Sequence, residues 1–304
     1  MTRKEILAHI KGIFPPAVTP FDRRGEIDTG LFRENLRRLT DIGLSGVLVA
    51  GSTGEAPYLS ERERLRLVGV ARDIVRPPEL LVVGTGLEST AATVRLSREA
   101  VARGADVLLV LTPNYYKARM NAEALAGHYR VVAASVSRPV IIYSIPQFTG
   151  LNPEPETIAR LSRIPNVEGL KESSGNIQFV RAVLRKVRRG FRVLVGSVSI
   201  LYDALRAGAV GGVLGQANFA PDLCVGLYEA FLRGRTREAR EFQRRLVPLA
   251  QKIALPFGVS GVKAALDLCG GAGGPPRPPL LPLSPAQRQA VADALREARA
   301  GLEY

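Results

Sequence analysis

Apolar runs recur through the first 214 residues, among them Gly46–Ala50, Leu80–Gly84, Val107–Leu111 and Val140–Tyr143, and a segment with helical periodicity follows each one. Runs that are apolar at successive positions are buried on both faces, as strands of a helix-covered parallel sheet are. With the runs near 12–21, 167–170, 191–195 and 210–214, the chain offers eight β/α units at nearly uniform spacing. That count predicts an α/β fold of the closed (β/α)8 TIM-barrel type rather than an open doubly wound sheet. No GxGxxG turn follows the first run and no GxxxxGK[ST] occurs, so neither dinucleotide nor P-loop binding is indicated.

Local signals set the expected boundaries. Gly12–Phe21 carries prolines suited to a first strand and its exit loop. Asp28 is placed to cap a helix running to about Asp41, which Gly43 ends, and Ser60-Glu61-Arg62-Glu63 is a capping box for a helix closed by Pro77 and Pro78. Further helices are expected over 90–103, 121–136, 154–163, 176–188 and 199–207. After about residue 218 the pattern is helical only, over 221–232, 237–254, 258–268 and 285–300, with a Pro/Gly-rich segment 270–282 joining the last two. The division expected is a barrel core over 1–217, then the last barrel helix and a C-terminal helical extension over 218–304. Amphipathic helices cannot leave their apolar faces in water, so the extension packs on the barrel or on a neighbouring subunit.

Composition narrows the partners. The 304 residues are 46% hydrophobic and 23% charged, ordinary for a soluble protein, and no stretch resembles a membrane span. Met1–Lys11 lacks the apolar core of a secretory signal, and a cytoplasmic location is expected. The net charge of +14 comes from arginines spread over many helices, with no zinc finger, helix-turn-helix or aromatic platform beside them, so no specific nucleic-acid partner is expected. Cys224 and Cys269 match neither a disulfide framework nor a zinc site, and His9 and His128 lie on separate helical segments. Neither a metal nor a cofactor is expected.

Chemistry is sought at the strand ends, because the C-terminal ends of barrel strands open on one face. In Asn166–Asn176, NVEGLKESSGN, an apolar run ends at Lys171 and passes into small polar residues. A lysine at a strand mouth, its amine out of bulk water, can attack a ketone and form a Schiff base; the plain alternative is a solvated surface lysine. The turn Gly51-Ser52-Thr53-Gly54-Glu55 offers hydroxyls and backbone N–H groups as an anion seat, or is an ordinary loop. Tyr143 is the candidate general acid/base, with a packed core tyrosine as its alternative. Tyr115 and Tyr116 follow Thr112-Pro113-Asn114, and adjacent residues in an extended segment point opposite ways, so one packs while the other reaches out. Glu55 and Glu172 read as structural or hydrogen-bonding groups, and His128, mid-helix, as carrying no chemistry.

Taken in this order, the four stretches resemble the dihydrodipicolinate synthase / N-acetylneuraminate lyase family of pyruvate-dependent class I aldolases, over essentially the whole chain. The resemblance implies that Lys171 forms the Schiff base with pyruvate, that Ser52 and Thr53 bind the carboxylate and that Tyr143 relays protons. It implies too that Tyr116 reaches across a dimer interface, in a homotetramer built as a dimer of dimers. Leu214 is similar to the position whose carbonyl lies near the ketoacid, and Gly196 and Ser197 fall at the mouth of strand seven. The synthases place an arginine where this chain has Phe148, which cannot bind a carboxylate. Tyr143-Ser144-Ile145-Pro146, the Tyr115–Met120 segment, Ser173, Gly211-Gly212-Val213 and the tail Gly273–Leu280 resemble instead the 4-hydroxy-2-oxoglutarate aldolases. Cleavage of 4-hydroxy-2-oxoglutarate to pyruvate and glyoxylate is therefore the expected reaction, with Ser144 and Ser173 touching the distal part of the substrate. The alternatives are condensation of pyruvate with aspartate semialdehyde, a ketoacid dehydratase on the same scaffold, or a non-catalytic pyruvate-binding barrel.

Overall fold

A computed structural model describes residues 1–40 and 42–300. Its strands are β1 (Gly12–Phe14), β2 (Gly46–Val49), β3 (Leu80–Gly84), β4 (Val107–Leu111), β5 (Val140–Ser144), β6 (Val167–Glu172), β7 (Arg192–Val195) and β8 (Gly211–Val213). All named pairings are parallel, in the order β1-β8-β7-β6-β5-β4-β3-β2. The ring closes between β1 and β2 through Ser45 N–H to Ile13 O (3.0 Å), Leu48 N–H to Pro15 O (2.9 Å) and Ala17 N–H to Leu48 O (2.8 Å). The prolines are tolerated here because Pro15 contributes only its carbonyl to the seam.

Side chains alternate across each strand, and two apolar layers result. Phe14, Leu48, Leu109, Ile141 and Leu194 fill the barrel, while Val49, Val83, Val110, Ile142 and Val193 face the helices. The helix Arg3–His9, opened by a Thr2/Glu5 capping box, closes the base: Ile6 and Ile10 pack into the inner layer, and Arg3 and Arg188 both reach the buried carboxylate of Glu168.

The expected helices form with small shifts. Asp28 Oδ1 accepts from Leu31 N–H at 2.9 Å and Ser60 with Glu63 forms the capping box. The helix after Asp28 is described over Thr29–Thr40, and its expected end at Asp41 lies outside the described residues. A short helix, Pro146–Thr149, follows β5, opened by Pro146 and ended by Gly150 in the left-handed region (φ 62). The segment expected as 237–254 is an α-helix, Thr236–Leu249, continued by a π turn, Ala250–Ala254, and by Leu255–Leu268, whose backbone breaks at Gly258 (φ 53, ψ −136). Leu246, Ile253, Leu266 and Val291 of the extension share one core with the barrel helices. Among the described residues no helix is long and apolar enough to cross a membrane.

His128 sits buried on Ala122–Ala134 with Nδ1 2.9 Å from Thr90 Oγ1 and Nε2 unpartnered. Burial pulls its pKa down from 6.5 to about 4, opposed only by Glu88. The folded state therefore binds fewer protons than the unfolded one between those values, and the contribution to stability present above pH 6.5 is lost as pH falls towards 4. Denaturant midpoints measured across this range should decline, and His128→Gln should flatten the decline; an unchanged slope would refute the assignment.

Candidate active site

Lys171 reaches the barrel mouth because of one irregularity in strand pairing. Val140 lies opposite Val167, but Ile141 lies opposite Gly169, so β6 holds an extra residue at Glu168. A one-residue slip exchanges the faces of every later side chain. Beyond it Tyr143 pairs with Lys171 and Ser144 with Glu172, which puts lysine and tyrosine together on the inner face. Lys171 is 4% exposed, and its Nζ lies 3.9 Å from the centre of the Tyr143 ring. Among the described residues no carboxylate pairs with this amine.

The Gly-Ser-Thr-Gly turn meets the tyrosine from the other side. Ser52 Oγ is 3.1 Å from Tyr143 Oη, in a hydrogen bond that either can donate. The turn is held by Gly54 N–H and Ala56 N–H on Gly51 O and by Glu55 N–H on Ser52 O. Ala50 (φ 55) and Glu55 (φ 58) bracket it in the left-handed region, an unusual conformation for residues with a Cβ.

Around these groups lies a cavity of about 370 Å³, lined also by Thr53, Ser173, Ser174, Gly196 and Ser197. Ser173 is buried and its hydroxyl has no partner, as expected of a group left for a ligand. Gln147 Nε2 donates to Ser173 O at 2.8 Å and fixes that corner. Gly196 is required: a Cβ there would fall 1.9 Å from Ser173 Oγ. Among the described residues Lys171 is the only charged side chain lining this cavity. Phe148, 67% exposed, stands at its rim and also borders an adjoining cavity of about 540 Å³ that carries Glu55, Arg64 and Glu88.

Three expected residues stand apart. Ser144 shares the parity of Val140 and Ile142, so its wholly buried side chain faces the helix layer and not the cavity. Leu214 is buried with its carbonyl accepting from Ala217 N–H at 3.1 Å, while its neighbours Val213 and Gly215 line the cavity. Tyr116 is 70% exposed, edge-to-face with Tyr115 at 5.0 Å between centroids, and lines neither cavity. The loop bearing both tyrosines is tied down by Glu88, whose Oε2 accepts from Asn114 N–H and Tyr115 N–H.

Sequence reasoning missed the contribution of the extension. Leu255, Gly258, Val259 and Val262 form one wall of the Lys171 cavity, and a helical periodicity alone carries no signal of what its apolar face will cover.

Gly196→Ala tests the fit at Ser173. The added methyl must displace the Ser173 hydroxyl, so turnover should fall at least about tenfold in a variant that still folds. Unchanged kinetics would remove this corner from the site.

The chain matches the dihydrodipicolinate synthetase family over residues 9–298. It is 37% identical over 286 residues to 4-hydroxy-tetrahydrodipicolinate synthase of Methanothrix thermoacetophila, covering 94% of this chain and 96% of that one. The corresponding protein of Archaeoglobus fulgidus is 36% identical over the same length, covering 94% and 97%. Among solved structures, dihydrodipicolinate synthase from Thermotoga maritima superposes with a TM-score of 0.90 at 32% identity, over 95% of this chain and 98% of that one. A prophage protein of the dihydrodipicolinic acid synthase family from E. coli K12, in complex with pyruvate, gives 0.90 at 28% identity, over 95% and 99%.

Proposed function

The chain belongs to the dihydrodipicolinate synthetase family and is a pyruvate-dependent lyase of the Schiff-base class, and from that premise we propose that it condenses pyruvate with aspartate semialdehyde. What supports Lys171 as the Schiff-base residue is its unpaired amine beside the Tyr143 ring, inside a cavity with no other charged side chain among the described residues. Its amine adds to the C2 ketone, and loss of water leaves an iminium that draws electrons from C3. Loss of a C3 proton then gives an enamine, whose C3 attacks the aldehyde carbon of the acceptor. Ser52 and Thr53 hold the ketoacid carboxylate, and the Tyr143 hydroxyl, linked to Ser52, carries protons to and from the carbinolamine and the new alkoxide. Ser173 and Gly196 shape the acceptor side. The exposed Tyr115 and Tyr116 are in keeping with a partner subunit covering that loop, as in a dimer of dimers.

The expected 4-hydroxy-2-oxoglutarate aldolase reading is not favoured by the relatives, which are named as synthases. One observation keeps it as a second reading: Phe148 occupies the place where the synthase resemblance implies an arginine, leaving neutral donors to receive the acceptor's carboxylate.

Incubation with pyruvate and borohydride should give a reduced adduct on Lys171 by peptide mass mapping; an adduct elsewhere, or none, would sink the mechanism. With the adduct in hand, condensation of pyruvate with aspartate semialdehyde should outrun release of glyoxylate from 4-hydroxy-2-oxoglutarate. The reverse order would replace the synthase by the aldolase.

A further inference from the structure

A second lysine is buried near the site and plays no part in the chemistry above. Lys263 Nζ donates to Glu55 Oε1 at 2.6 Å, and both side chains are essentially sealed from solvent, at 1% and 0% exposure. The amine also donates to Pro275 O at 2.8 Å and lies 4.6 Å from the centre of the Phe21 ring. The other carboxylate oxygen of Glu55 accepts from Arg277 N–H at 2.7 Å. Burial pulls the Lys263 amine below its ordinary range, and the Glu55 carboxylate opposes that pull.

Such a pair is a poor source of stability. Two charges taken out of water lose hydration that their attraction only partly offsets, and apolar side chains of similar volume often serve a core as well or better. What the pair does supply is geometry. Glu55 is the last residue of the Ser52–Thr53 turn and is held in the left-handed region, a conformation that persists only where the surroundings over-determine it. Its carboxylate is gripped from two sides by the extension. Lys263 comes from the helix Leu255–Leu268 and Arg277 from the Pro/Gly-rich strap, whose own guanidinium donates to Glu63 and Tyr58 O. Strap and helix are in direct contact at this point, since a Cβ on Gly273 would lie 2.2 Å from Lys263 O. The same helix walls the Lys171 cavity with Leu255, Gly258, Val259 and Val262.

We infer that Lys263 and Glu55 are positioning residues for the ketoacid carboxylate: the buried pair fixes the Ser52–Thr53 turn against the cavity wall, so the C-terminal extension is a working part of the site. This rests on the reading of Lys171 and of the turn given above.

The test uses Lys263→Met, Glu55→Gln and the double variant, each followed by thermal midpoint, by the pyruvate concentration that half-saturates borohydride trapping on Lys171, and by hydrogen exchange of the 50–58 segment. Either single variant leaves one buried group without its partner and should lower the midpoint. The double variant should regain most of the midpoint yet keep a half-saturating pyruvate concentration raised about tenfold and faster exchange over 50–58. A double variant that recovers pyruvate affinity together with its midpoint would overturn the inference, because the pair would then be structural only. Should the double variant fail to fold, Glu55→Gln, which preserves side-chain shape, decides instead when assayed well below its own midpoint: a half-saturation raised about tenfold upholds the inference, and normal half-saturation refutes it. If the wild type forms no adduct on Lys171, the chemical reading fails separately. Exchange then decides, faster exchange over 50–58 upholding the role of the pair and unchanged exchange overturning it.

Discussion

The extra residue in β6 is the constraint on which the site depends. In a parallel sheet, residues in register point the same way, so a uniform pairing from Val140–Val167 onwards would align Tyr143 with Leu170 and put Lys171 among the outward-facing side chains. The irregularity at Glu168 reverses this for the rest of the strand. Glu168 itself stays buried at the base, held by Arg3 and Arg188, so the distortion is anchored by charge where the N-terminal helix closes the barrel. The placing of Lys171 beside Tyr143 is thus decided three residues earlier, at the opposite end of the strand.

Behind the inner face the same strand ends bear a second row of polar groups. Thr112, Ser144 and Glu172 follow or end β4, β5 and β6, all face the helix layer, and each has a buried oxygen without a partner. Glu172 retains one hydrogen bond, from Ser174 N–H at 2.7 Å, and burial raises its carboxyl above the usual range. Its charge is therefore opposed on the side of the strand away from the cavity. An ionised carboxylate on the inner face would pair with the Lys171 amine, and the alternation that turns Glu172 outward leaves that amine beside the Tyr143 ring without one.

The fold was legible because its signals are local and repeated. Strand runs such as Leu80–Gly84 and caps such as Ser60 with Glu63 state their own structure, and eight repetitions leave little choice of architecture. That Lys171, Ser52, Thr53 and Tyr143 lie near one another was legible because each ends or follows a strand, and strand ends in a barrel converge. Ser144 cannot touch a substrate beside Lys171, because its neighbour Tyr143 faces inward and the pleat forbids both. The Glu55–Lys263 pair could not be read at all: its members are separated by over 200 residues, and nothing in either local sequence announces the other. The register shift at Glu168 was equally silent, since a strand sequence does not record which of its residues is left unpaired.

The acceptor is the part of the function least written into this subunit, for a physical reason. The ketoacid half of the reaction demands a covalent nucleophile, an anion seat and a proton carrier, three requirements that few residue types meet. The acceptor half demands only that an aldehyde approach C3 and that its remaining groups be tolerated. On that side the cavity offers serine hydroxyls, Gln147 and an exposed phenylalanine, and neutral donors discriminate among anions far less than an arginine fork does. On the proposed assignment, Lys171 and its immediate neighbours set the reaction class, whereas the choice of acceptor rests on differences in binding around Phe148 and Ser173.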